Sequence, residues 1–170
     1  MESSTDTPKG LGGWLILPGL GLIFTPVHLL IFLYQTFLPL FQDGTWEALT
    51  TPGSEAYHHL WGPYLLFEIV GNFIFVIFSV LLIFLFFSKS HRLPKLLIIF
   101  YVSNLLFLLT DFFMGDMIPF VAAEPNDPEV IKEIAKAVMS NIIWVPYFLL
   151  SKRVKNTFVK TAPNLVFEKD

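Results

Sequence analysis

The side chains in this chain best suited to chemistry sit inside long apolar stretches: His28, Glu68, Asn72, Asp111 and Asn141. Ionisable groups within a membrane are costly, so each needs a partner or an aqueous cavity. Two carboxylates, an imidazole and two amides have the donors and acceptors to bind a proton, a cation or a small polar ligand. Lys136 is the obvious ion-pair partner for Glu68 or Asp111. Such a pair, with Asn72, Asn104 and Asn141 bonding between helices, accounts for the same residues without any ligand. His28, two residues after Pro26, equally suits donating to a carbonyl that the proline leaves free.

Other constellations carry less. Glu55, His58 and His59 put a carboxylate and two imidazoles close in sequence. Adjacent residues on a helix point about 100° apart, so two neighbouring histidines seldom reach one metal, and no metal site is expected. The chain lacks His-Glu-x-x-His, Gly-x-Ser-x-Gly and a Gly-rich phosphate loop, and it has no cysteine for thiolate chemistry. No catalytic residue and no cofactor is therefore expected, and the chain reads as a non-enzyme. The enzymatic alternative is Glu68 and Asp111 acting as acid and base across a substrate-sized gap.

The elements that must position these residues follow from composition. Of 170 residues, 54% are hydrophobic and 15% charged. Globular proteins carry about a quarter charged residues, so the deficit points to a surface that faces lipid. It excludes a disordered chain, a nucleic-acid binder and a disulfide-stapled module. Leu11 to Gln42 holds no charged residue, Leu60 to Ser88 only Glu68, and Leu96 to Val121 only Asp111 and Asp116. Ala137 to Ser151 is shorter, but Asp127 can cap a helix with Pro128 at its first position and Glu129 in its first turn. The reading is an all-α polytopic membrane protein, a four-transmembrane-helix bundle with spans at 11–38, 62–87, 94–117 and 128–152. A cytoplasmic tail, 1–10, precedes the single domain 11–152, and a basic tail, 153–170, follows it.

The first stretch is too long for a signal peptide and lacks a small-residue cleavage site, so it reads as a retained span. It exceeds the hydrocarbon thickness, and Pro18 and Pro26 are the expected kinks. Nine of the 11 Lys and Arg lie before residue 11, between the second and third spans, or after residue 151. Positive residues stay inside, so both termini are expected in the cytoplasm, with acidic loops outside. The outer loop, 39–61, is expected to be structured, with one helical turn from Thr45 to Leu49 and a second capped by Ser54. Trp14, Trp46, Tyr57, Trp61 and Tyr147 read as interface anchors.

Spacing puts the polar residues on one face of each span: Gly21, Thr25, His28 and Gln35; Glu68, Asn72 and Ser79; Asn104, Asp111 and Gly115; Ala137, Asn141 and Trp144. At about 1.5 Å per residue, all the ionisable members fall in the outer half of the membrane. Lys136 sits level with Glu68. The expected arrangement is an inward-facing polar pocket that opens to the outside. The stretch from Ser151 to Lys160 is expected to continue the last helix as a basic segment, with Lys152, Arg153 and Lys155 fixing topology or binding anionic lipid.

Two segments carry a resemblance: Gly12-Gly13-Trp14-Leu15, and Trp144-Val145-Pro146-Tyr147-Phe148 followed by Ser151-Lys152-Arg153-Val154-Lys155-Asn156-Thr157-Phe158. They resemble the bacterial YdgK-like family of small four-helix inner-membrane proteins, a family of unknown function, over nearly the whole chain. The resemblance implies four spans and a bacterial inner membrane, and no activity. The expected partners are membrane lipids with a small polar ligand or ion, for transport or sensing. The alternative is a structural protein that holds partner helices or anionic lipids, its polar stripes serving as interhelical glue.

Overall fold

The computed structural model describes residues 9–123 and 128–159. Its helices are α1 (Ile16–Gln42), α2 (Thr45–Thr50), α3 (Trp61–Phe87), α4 (Leu93–Asp116), α5 (Pro119–Ala122), α6 (Pro128–Leu150) and α7 (Lys152–Thr157), with a 3-10 turn at Gly13–Leu15. Four of them, α1, α3, α4 and α6, are long and apolar enough to cross a membrane. Their outer faces carry large apolar side chains such as Ile77, Phe84 and Leu150, which belong against acyl chains. The chain is an all-α, four-span membrane protein.

The first span starts later and ends later than its composition predicts. Gly10 and Gly13 have φ values of 95° and 63°, which a right-handed helix cannot accommodate, so the chain unwinds there. At the other end Pro39 is absorbed into the helix, which stops where Gly44 turns to φ 81°. Pro18 is no kink: it occupies the third position of α1, where a helix has no internal partner for an N–H anyway. Pro26 lies in the interior and the helix runs through it unbroken.

The outer connection begins at Asp43, whose carboxylate accepts the Thr45 N–H at 3.0 Å ahead of α2. That contact with Thr45 holds the Asp43 carboxyl below its ordinary range. A single turn does follow Ser54, with Tyr57 N–H donating to the Ser54 carbonyl at 3.2 Å, but the Ser54 side chain does not cap it. Ser54 instead donates its hydroxyl back to the Ala48 carbonyl and folds the loop onto α2. Trp61 is buried at the start of α3 and is not a lipid-facing anchor. The caps expected from Asp127, and the charges at Glu124, Lys160 and Lys169, lie outside the described residues.

The last span does not continue into the basic tail. Ser151 is extended, with ψ 122°, and its hydroxyl accepts from Val154 N–H, so a new short helix starts on a new axis. This places α7 against the N-terminal segment. Gly10 N–H donates to Thr157 Oγ1 at 2.9 Å, and the Arg153 guanidinium donates to the Gly12 carbonyl. Both ends of the described chain therefore meet at one end of the bundle.

Side by side, α1 packs on α3, α3 on α4 and α4 on α6, while α1 and α6 do not pack along their lengths. Two apolar clusters hold the row together. At the end where the termini meet, Leu15, Leu82, Leu93, Leu97, Phe148, Val154 and Phe158 form one. At the far end Leu33, Phe37, Trp61, Leu65 and Ile118 form the other. The polar stripes lie between them.

Candidate functional site: a polar cavity between four helices

A cavity of about 400 Å³ occupies the gap between the two clusters. Each long helix contributes to it: α1 through Thr25 and His28, α3 through Glu68 and Asn72, α4 through Asn104 and Asp111, α6 through Glu133, Lys136 and Asn141. The helical repeat explains the convergence. Thr25 and His28, Glu68 and Asn72, and Asn104 and Asp111 are three, four or seven residues apart, and each pair therefore shares a face. All five residues singled out from sequence, and Lys136, line this one space.

The stripes contribute only in part. Gly21, Gln35, Gly115 and Trp144 do not line the cavity. Ser79, fully buried, donates to the Val76 carbonyl at 2.8 Å within its own helix and belongs to the packed region. Glu133 and Ser140 were missed by sequence reasoning. Glu133 falls four residues before Ala137, which extends the α6 stripe by one turn, and that spacing was the available signal.

The hydrogen bonds divide the polar residues into two kinds. Asn141 Nδ2 donates to the Tyr101 carbonyl on α4 at 3.0 Å and to the Ala137 carbonyl at 2.9 Å, so it ties two helices together. Asn72, only 7% exposed, spends its amide N–H on the Glu68 carbonyl at 2.9 Å and its carbonyl oxygen has no donor among the described residues. Asp111 Oδ1 is sealed from the surface and also lacks a donor among the described residues. Asn104 lines the cavity with no bond among the described residues.

The expected ion pair does not form. Lys136, exposed on α6, lies within 4.0 Å of no carboxylate among the described residues, while Lys132 pairs with Glu129 at 3.2 Å. His28 is exposed and does not donate to the carbonyl freed by Pro26. Near that proline, Thr25 Oγ1 donates to the Gly21 carbonyl at 2.8 Å. Away from the cavity, the His58 and His59 rings meet at a 44° tilt with centroids 4.4 Å apart, and the described His, Asp and Glu residues form no metal-holding group of three.

Residues 8–159 match the family described as "Protein of unknown function (DUF2569)". The chain belongs to the DUF2569 family. The matched stretch contains every cavity residue and the contact between Arg153 and Gly12. A relative from Escherichia coli strain K12, "Inner membrane protein YdgK", is 27% identical over 161 residues, covering 92% of this chain and 98% of the relative. No solved structure matches the chain. With its four apolar spans and this relative, the chain is an inner-membrane protein in contact with lipid.

Proposed function

We propose that this protein is a non-enzymatic membrane protein that binds a proton, a cation or a small polar ligand in the cavity, for transport or sensing. In this reading both termini are cytoplasmic and the cavity opens toward the other side. One observation carries it: His28, Glu68, Asn72, Asp111 and Asn141, drawn from four helices, line a single space in which neither carboxylate has a cation partner among the described residues. A purely structural network would be expected to pair its charges, since an unpaired charge in low dielectric is expensive. Position supports the opening. On α3 the lining residues Glu68 and Asn72 sit in the half nearer the end remote from the termini, and the termini end is packed with Leu15, Val154 and Phe158.

A second reading rests on Asn141, whose bond to the Tyr101 carbonyl is interhelical glue. In it the stripes hold the bundle and the work is done by partner helices, or by lipids at Lys152 and Lys155. Arg153 contributes less to such a surface, because it is engaged with Gly12.

The absence of cysteine makes the test direct. Ser140→Cys and Asn104→Cys place a thiol in the cavity, and Ser79→Cys places one in the packed region. Intact cells are labelled with a thiol reagent that cannot cross the membrane. The cavity reading expects labelling at residues 140 and 104 and none at 79. If neither cavity thiol reacts while one introduced at Glu55 does, the cavity is dry and the second reading replaces the first.

A further inference from the structure

We propose that the ligand of this cavity is a monovalent organic cation carrying an apolar body; the inference rests on the cavity being a binding site. Charge comes first. The ionisable groups facing the space are His28 from α1, Glu68 from α3, Asp111 and Tyr101 from α4, and Glu133 and Lys136 from α6. Three carboxylates against one ammonium leave the site net negative when ionised, which attracts a cation and repels an anion.

Hydrogen-bond supply agrees with charge. Asp111 Oδ1 is buried without a donor among the described residues. Buried acceptors left open are costly, and a ligand that brings N–H groups or a positive charge relieves them. An anion would add acceptors where acceptors are already in excess.

Size and lining exclude a bare ion as the fitted occupant. A space of about 400 Å³ is that of a small organic molecule. Leu29, Phe32, Phe100, Phe107 and Leu108 form its apolar wall, and aromatic rings also attract an alkylammonium by their π faces. Access points the same way. Because α1 and α6 do not pack along their lengths, the cavity is flanked by a gap between them, and its lining residues Glu133 and Lys136 on α6 are exposed. Elsewhere on the same two helices, Val27 and Ile31 on α1 and Met139 and Ile143 on α6 are exposed apolar side chains that face lipid. A molecule with an apolar body partitions into that region, whereas a fully hydrated ion does not.

The experiment uses the full chain in lipid nanodiscs and measures binding of hexyltrimethylammonium by equilibrium dialysis, beside tetramethylammonium and hexyl sulfate. The expected result is saturable binding of hexyltrimethylammonium, weakened about ten-fold or more by Glu68→Gln with Asp111→Asn, through loss of the paired charge. Lys136→Gln should tighten binding several-fold, a gain that a misfolded variant cannot mimic. Equal affinity for tetramethylammonium overturns the apolar body, preference for hexyl sulfate overturns the charge, and unchanged binding in the double variant overturns the site. Absence of all binding in a protein whose Ser140→Cys thiol labels from outside overturns this inference and leaves the cavity reading standing. Absence of binding together with absence of labelling overturns both.

Discussion

At the scale of single residues, the cavity depends on groups that do not touch a ligand. Gly71 on α3 lies under the Phe107 ring, and a Cβ there would meet that ring at 2.1 Å. Phe107 cannot swing away freely, since it packs between Phe67 and Phe75 at centroid distances of 4.9 and 5.4 Å. Gly71→Ala should therefore push the ring toward the cavity and cost about 1–3 kcal/mol, the usual range for overpacking. Thermal unfolding in detergent measures the loss, and a co-variant Phe107→Leu should recover part of it. The polar residues were legible one at a time, because an ionisable group in an apolar run announces its own cost. Which bonds each would make was not, and Asn141 turned out to reach another helix while Asn72 bonds within its own.

At the scale of elements, the ends of helices were harder to read than their middles. The end of α3 illustrates this: Lys89 N–H donates to Phe86 O at 3.1 Å and Ser90 N–H to Leu85 O at 3.0 Å, which closes the helix with Lys89 at φ 54°. A left-handed lysine costs about 1 kcal/mol relative to glycine, so Lys89→Gly should stabilise the protein by about that amount in chemical or thermal unfolding. The break at Ser151 has the same character. A local cap, Ser151 to Val154, and a remote contact, Arg153 to Gly12, together favour a turn over another helical stretch. The remote partner is 141 residues away, so no window of sequence around Ser151 contains it.

At the scale of the molecule, the four spans form a row whose two ends do not close, with apolar clusters above and below a polar middle. Having both described ends on one side requires an even number of crossings, as found. In the proposed topology, which rests on the distribution of Lys and Arg, that side is cytoplasmic. Alkaline phosphatase, active only outside the cytoplasm, should thus be active when fused after Glu55 and inactive when fused after Val159. The opposite pattern would turn the cavity toward the cytoplasm and withdraw the outward-open reading.

Sequence alone determined that this is a four-span α-helical membrane protein, because length without charge is a local property that lipid enforces on each span separately. It also determined which face of each helix is polar, since the helical repeat is local as well. Tertiary structure decided the rest. It brought His28, Glu68, Asn72, Asp111 and Asn141 to one cavity, added Glu133, left Lys136 without a carboxylate among the described residues, and set Arg153 over Gly12. The physical reason is that pairing depends on the rotation and lateral order of whole helices. Those are fixed by contacts such as Gly71 under Phe107 and Gly19 under Phe86, made between residues far apart in the chain.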